Sequence, residues 1–283
     1  MVNLAATAQS TNWTGASNQN WSDPANWSNG VPVSGGTAFI PASASNWPHM
    51  AGALTVNFLV QNAGQLFVDG TIQNLNNFQN FPGAAVTING TFSHLGPNAF
   101  DNNGLVVNKG GFVNFGPLNV TGTGVFENRA GAVFTNNDAA NLAVFGGFQN
   151  FGTIVNDGFI AISGNMVSTG TITNNKTLSI SAGGQMSMQA GATFLNAIST
   201  AFVEVKGNLE IDGSTFDNNG GFRVVPGGRA SSNLIFNNNS VVNIAGEFTN
   251  YGTYNNGCPT CSAVVTTWNE AGGIFRNNFT VLN

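Results

Sequence analysis

One short pattern returns along most of the chain: an apolar residue, usually Phe, then any residue, then Asn. It stands at Phe78-Gln79-Asn80, Phe100-Asp101-Asn102, Phe126-Glu127-Asn128 and Phe148-Gln149-Asn150. It continues at Ile172-Thr173-Asn174, Phe194-Leu195-Asn196, Phe216-Asp217-Asn218 and Phe236-Asn237-Asn238, and Phe275-Arg276-Asn277 closes the series. From Phe78 to Phe236 the intervals run from 20 to 26 residues, most of them 22. A second copy, about half a turn away, appears at Phe112-Val113-Asn114, Phe134-Thr135-Asn136 and Phe248-Thr249-Asn250. A fixed period of this size marks a repeat architecture, in which each unit buries its apolar face only against its neighbours.

Between these marks the sequence alternates with period two. Val86 and Ile88 bracket Thr87, Leu178 and Ile180 bracket Ser179, and Val203 and Val205 bracket Glu204. These are half-buried strands of three to five residues. Glycines at 70, 90, 124, 147, 170, 191 and 213 precede strand starts, and the expectation is that they supply positive φ at sharp corners. No capped run of helical period is present. The predicted fold is therefore all-β: a single-stranded parallel β-helix (β-solenoid) of about ten coils, stacked about 4.8 Å apart. Crossover chirality favours a right-handed coil, and the sequence itself leaves the hand open. The nine apolar positions of the series are expected to form one inward ladder, and the nine asparagines a second, amide-to-amide ladder. Asn is also expected to serve left-handed corners. An antiparallel sandwich would use hairpin pairs such as Asn89-Gly90 and Asp69-Gly70, but gives no reason for the aromatic-x-Asn phase to return.

Composition narrows the function. Charged residues are only 7% of the chain and the net charge is −5, while 23 Phe supply ample core. Seven scattered Lys and Arg cannot form the basic stripe that nucleic acid or an anionic membrane demands, and no apolar run is long enough for a membrane-spanning helix. Enzymes that act on polysaccharide need clustered carboxylates. The best cluster, Glu204, Glu210 and Asp212 near Lys206, points outward by alternation and reads as a solvated face. His49 and His94 lie at unrelated phases and complete neither a triad nor a zinc site. No catalytic residue, metal site or cofactor is expected. Cys258 and Cys261, in Gly257-Cys258-Pro259-Thr260-Cys261, read as a loop disulfide in an oxidising compartment, with free thiols the alternative.

The first 48 residues break the repeat and hold Trp13, Trp21, Trp27 and Trp47. Two units are expected: an N-terminal Trp-rich cap or assembly segment over 1–48, and the solenoid over 49–283. A cap covering the open end of the stack is the plain reading of these tryptophans; a glycan or partner site on exposed Trp faces is the alternative. Ala6-Thr7-Ala8 before Gln9 has the small-residue look of a signal-peptide end without the regions that precede one. The runs Asn12-Trp13-Thr14-Gly15, Asn20-Trp21-Ser22-Asp23-Pro24-Ala25-Asn26-Trp27-Ser28-Asn29-Gly30-Val31-Pro32 and Ala38-Phe39-Ile40-Pro41 resemble the opening of large secreted bacterial β-helical repeat proteins, of the autotransporter-passenger and surface-adhesin type. The resemblance is close over about 40 residues and looser beyond. It implies export, a parallel β-helix and a surface or matrix role, although no membrane barrel or sorting domain of that class is visible.

The chain ends on another repeat-like strand with Phe279 and Val281. An uncovered solenoid end offers unpaired backbone groups to a second chain, and an unclosed head-to-tail contact makes a filament. The functional expectation is a secreted structural protein, a filament subunit whose partner is itself, with Trp13, Trp21, Trp27, Trp47, Phe279 and Val281 at the interface. The alternative is a monomeric adhesin or glycan-binding module, with surface glycan as partner.

Overall fold

The computed structural model describes residues 9–233, 235–256, 266–269, 274–277 and 281–282. Among the described residues, regular structure consists of strands of two to four residues, apart from one 3-10 turn at Pro24–Asn26 capped by Asp23. A typical strand is Thr171–Asn174, in which Thr171 and Thr173 face out while Ile172 and Asn174 are buried. Period-two alternation gives each strand one wet and one dry face. The next residues turn a corner, and the following strand repeats the pattern.

Each coil places one strand in each of three parallel sheets, so the fold is the expected β-solenoid. The first sheet has 13 strands, from Ser10–Asn12 and Thr37–Ile40 to Thr266–Asn269. The second has 12, from His49–Met50 to Ile274–Asn277, and the third has 12, from Ala53–Val56 to Val281–Leu282. The stack exceeds ten coils partly because it starts early. Thr37–Ile40 pairs in parallel with Leu59–Asn62, so a division at residue 48 falls inside the first coil.

The single aromatic column is corrected: the series divides over all three sheets. Phe78 and Phe100 stack in the first sheet at 4.5 Å between ring centres. Phe126 and Phe148 stack in the second at 4.9 Å. Ile172, Phe194, Phe216 and Phe236 share the third, whereas Phe275 returns to the second, on Phe248. Phe148 is followed in register by Met166, not Ile172. The cause is chemical equivalence: all three sheets use the same strand grammar, so an apolar-x-Asn triplet does not say which sheet it occupies. Hydrogen-bonded asparagines on successive coils are 18, 20 or 22 residues apart, and the steps from Phe100 to Phe126 and from Phe148 to Ile172 exceed one coil by a strand.

The columns meet on the axis. Phe112 of the third sheet lies edge-on to Phe126 of the second at 5.2 Å and 85°, and Phe134 meets Phe148 at 5.5 Å and 85°. Rings therefore stack along the rod and pack edge-to-face across it, the two arrangements an aromatic quadrupole favours.

The corner glycines also need a different explanation. Of the seven nominated, only Gly191 and Gly213 have positive φ. Gly90 sits directly over Gly70, and a Cβ there would fall on the Gly70 carbonyl oxygen. Successive corners approach too closely for a side chain. No non-glycine residue has positive φ, so Asn does not serve left-handed corners among the described residues.

Candidate functional site

The buried asparagines are the most regular polar feature. In the third sheet Asn114, Asn136, Asn156, Asn174, Asn196, Asn218, Asn238 and Asn256 form a continuous file. Each Nδ2 donates to the Oδ1 of the residue one coil on, at 2.7–2.9 Å. Shorter files run Asn62–Asn80–Asn102 in the first sheet and Asn108–Asn128–Asn150 in the second, the latter ending on Ser168 Oγ at 3.0 Å. The expected single ladder of Asn80, Asn102, Asn128, Asn150, Asn174, Asn196, Asn218, Asn238 and Asn277 is thus divided as the aromatics are. Asn277 pairs in register with Asn250 in the second sheet.

Up to three kinds of bond reach these amides. Besides the axial bond, the second proton of Asn128 Nδ2 reaches Thr153 O at 3.0 Å, across the corner and one coil on. The Oδ1 of Asn62 also accepts from Gly64 N–H at 3.2 Å, closing its own corner. Side chains with 0% exposure therefore find protein partners for most of their donors and acceptors, Asn74 Oδ1 and Asn108 Oδ1 excepted. The files are directional, since every Nδ2 points toward the C-terminal neighbour. The first members lack an axial donor: Asn108 Oδ1 has no partner among the described residues, and Asn62 and Asn114 Oδ1 accept only from Gly64 and Gly116 N–H. These amides hold the shaft together and present nothing to a ligand.

His94 replaces Asn in the third-sheet file, between Asn74 and Asn114. Asn74 Nδ2 lies 3.0 Å from its Nδ1, and its Nε2 lies 2.7 Å from Asn98 O. The partners fix a neutral tautomer, with Nδ1 accepting and Nε2–H donating. Burial lowers its pKa below the ordinary 6.5. His49 is separate, at the second-sheet edge, with Nδ1 2.5 Å from Asp69 Oδ2. Burial pushes the Asp69 carboxyl up, but hydrogen bonds from Asn89 and His49 outweigh it and hold the pKa low.

The tryptophans form a plug, not an exposed platform. Trp13 and Trp21 are 1% exposed and Trp27 5%. Trp27 packs edge-on to Trp13 at 5.1 Å and Trp21 at 4.7 Å, and Trp21 lies face-on to Phe58 at 6.2 Å. Trp13 Nε1–H donates to Asn46 O and Trp27 Nε1–H to Trp21 O. Trp47 is half-buried against the same core. Ligand binding on exposed Trp13, Trp21 or Trp27 faces is thereby corrected: the apolar interior of the first coil is the surface these rings cover. Their segment also covers backbone edges. Ser28 N donates to Asn12 O, and His49 N and O bond Gln19 and Trp21.

The acidic cluster does not converge. Glu204 pairs with Lys206 at 2.7 Å and neighbours Arg223 in the first sheet, Glu210 lies on the second sheet, and Asp212 accepts from Asn233 at 3.1 Å on the corner beyond it. No group of three or more His, Cys, Asp or Glu able to hold a metal occurs among the described residues, and no described helix is long and apolar enough to cross a membrane. Shallow grooves follow the corner between the first and second sheets. One of about 490 Å³ is floored by glycines such as Gly184 and Gly207 and carries no convergent acid–base pair. Cys258, Cys261 and Phe279 lie outside the described residues; Val281 belongs to the last third-sheet strand, in register with Tyr254.

Exposed corner aromatics are what the sequence reading passed over. Phe115, Phe145, Phe151 and Tyr251 each follow a strand end and stand in solvent. Their position just after the fourth strand residue was the available signal.

No protein-family model matches the chain, and no curated protein is similar to it. Among solved structures, the TibC-catalysed hyper-glycosylated fragment of TibA aligns over 97% of this chain and 98% of its own, at 14% identity and a TM-score of 0.46. That likeness is too distant to carry a functional argument.

Proposed function

We propose that the protein is an extracellular structural rod, a stiff shaft of the kind that displays or spaces a surface. The observation supporting this reading is the unbroken file of amide bonds from Asn114 to Asn256 within three sheets in continuous register. Nearly every residue serves the shaft, and charged groups are scattered along it. A rod of twelve levels at about 4.8 Å each is roughly 55 Å long.

Head-to-tail assembly into a filament is the second reading, and one edge favours it. No described residue hydrogen-bonds to the outer side of Ala53–Val56, the first strand of the third sheet. The first strands of the other two sheets are covered by the Trp segment, so backbone pairing with a second copy would engage one sheet of three. Geometry thus favours the single rod. Sedimentation velocity across a hundredfold concentration range, with negative-stain imaging, decides. Elongated particles of constant sedimentation coefficient are expected. Concentration-dependent growth into fibres would replace this reading with the filament, and compact round particles would remove both.

A further inference from the structure

The three sheets are equivalent in their buried grammar but not on their outer faces. In the third sheet, seven of the ten strands from Thr71–Asn74 to Thr253–Asn256 open on threonine: Thr71, Thr91, Thr153, Thr171, Thr193, Thr215 and Thr253. Among the described residues, no strand of the second sheet opens on threonine. Intrinsic strand preference for β-branched residues would distribute Thr over all three sheets alike, so the asymmetry has another cause.

Thr153, Thr171, Thr193 and Thr215 stand directly above one another and Thr71 lies beside Thr91, with Gly111 and Val133 between the two groups. Thr153 is in register with Thr171, and Thr171 with Thr193. Two residues on, the parallel outward row adds Thr135, Val155 and Thr173. The result is a grid in which ten of the fourteen outward side chains from Thr71–Asn74 to Thr193–Asn196 are Thr or Val, the others being Gln73, Ser93, Gly111 and Leu195. Its spacings are about 4.8 Å between coils and about 6.6 Å along the strand. On the seven strands from Thr71–Asn74 to Thr193–Asn196, the fourteen outward positions hold no charged residue and no aromatic ring. The Thr hydroxyls of the opening row make no hydrogen bond within the described protein, whereas outward asparagines elsewhere bond one another, as Asn255 does Asn237. Rigid χ1 angles hold the grid fixed, so little entropy is lost on binding.

A rigid two-dimensional array of unpaired hydroxyls and methyls matches a ligand that is itself a two-dimensional lattice. We infer that this face binds ice, whose prism planes repeat water oxygens at spacings near both grid periods. Each hydroxyl then takes a lattice water as donor or acceptor, and the methyl groups lie against the open lattice between them. Crystalline polysaccharide is the competing lattice. Its flat sugar faces stack on aromatic rings, and this face has none.

The test uses the whole purified chain in slowly growing ice, with crystal shape followed in supercooled droplets. Enrichment in the ice fraction and faceted crystals are expected. Thr171→Lys, and separately Thr153→Tyr, should lower the partition about tenfold, while Gln185→Lys on the second sheet should leave it unchanged. Gly111 faces outward beneath Thr91 with ordinary space for a Cβ, so Gly111→Thr extends the row and should raise partition. Circular dichroism confirms that each variant is folded. Rounded crystals with exclusion of the wild-type chain, equal loss in Gln185→Lys, or retention on microcrystalline cellulose or chitin without any effect on ice would each overturn the assignment.

Discussion

At the scale of a residue, the amide file sets a sharp energetic condition. Asn156 donates to Asn174 and to Thr177 O, and accepts from Asn136 and Gly158. Asn156→Leu keeps approximate volume but strands a donor on Asn136 and an acceptor on Asn174. Each buried unsatisfied group costs about 1–3 kcal/mol, so a loss of roughly 2–5 kcal/mol is expected by denaturant titration. A loss below 1 kcal/mol would mean that the file is ornamental. His94 makes the same point through pH. Its folded pKa is depressed, chiefly by burial, and protonation would set an Nδ1–H against the Asn74 donor. Above 6.5 both folded and unfolded imidazoles are neutral and the contribution is complete. As pH falls below 6.5, the unfolded chain binds a proton that the folded chain resists, so stability drops down to the folded pKa. The melting temperature should fall between pH 7 and pH 5, and His94→Asn should flatten that slope. An unchanged slope would place the sensitivity elsewhere.

At the scale of an element, strands were legible and their address was not. Alternation around Ile172 or Leu178 identifies which side faces in, because burial and period two are local properties. Which of three sheets a strand joins depends on counting corners. Corners vary in length: two residues separate Ser168 from Thr171, four separate Ile180 from Gln185, and five separate Asn196 from Phe202. Phe148 and Ile172 thus looked equivalent and lie in different sheets, a coil and a strand apart. The glycines were visible too, but the reason for them is a contact between coils that no single coil contains. This yields a comparison. Gly131 has positive φ of 81° and nothing near its missing Cβ, so Gly131→Ala should cost about 1–2 kcal/mol from backbone strain alone. Gly90→Ala forces the coil off the Gly70 carbonyl and should cost more. Equal losses in thermal melts would return the explanation to φ.

At the scale of the whole molecule, the rod is held by neighbour contacts, and the consequence can be argued from the cap. In a solenoid each coil touches only the coils beside it, so stability is a sum of local and interfacial contributions. Trp27 joins Trp13 to Trp21 over the end of the stack, and truncating a buried Trp costs about 3–5 kcal/mol. In a compact domain that loss would be shared by every element. Here Trp27→Ala should free the amides of Thr37–Ile40 and Ala53–Val56 to exchange, because the first coil loses the surface that dried it. The effect should fade along the axis and leave Thr171–Asn174 near wild-type protection, since that strand is tied to Thr153–Asn156 and Thr193–Asn196 and never senses the end. Hydrogen exchange read strand by strand separates the cases. Uniform loss of protection along the chain would mean that the amide files couple all coils into one cooperative unit, and that the rod unfolds as a single block.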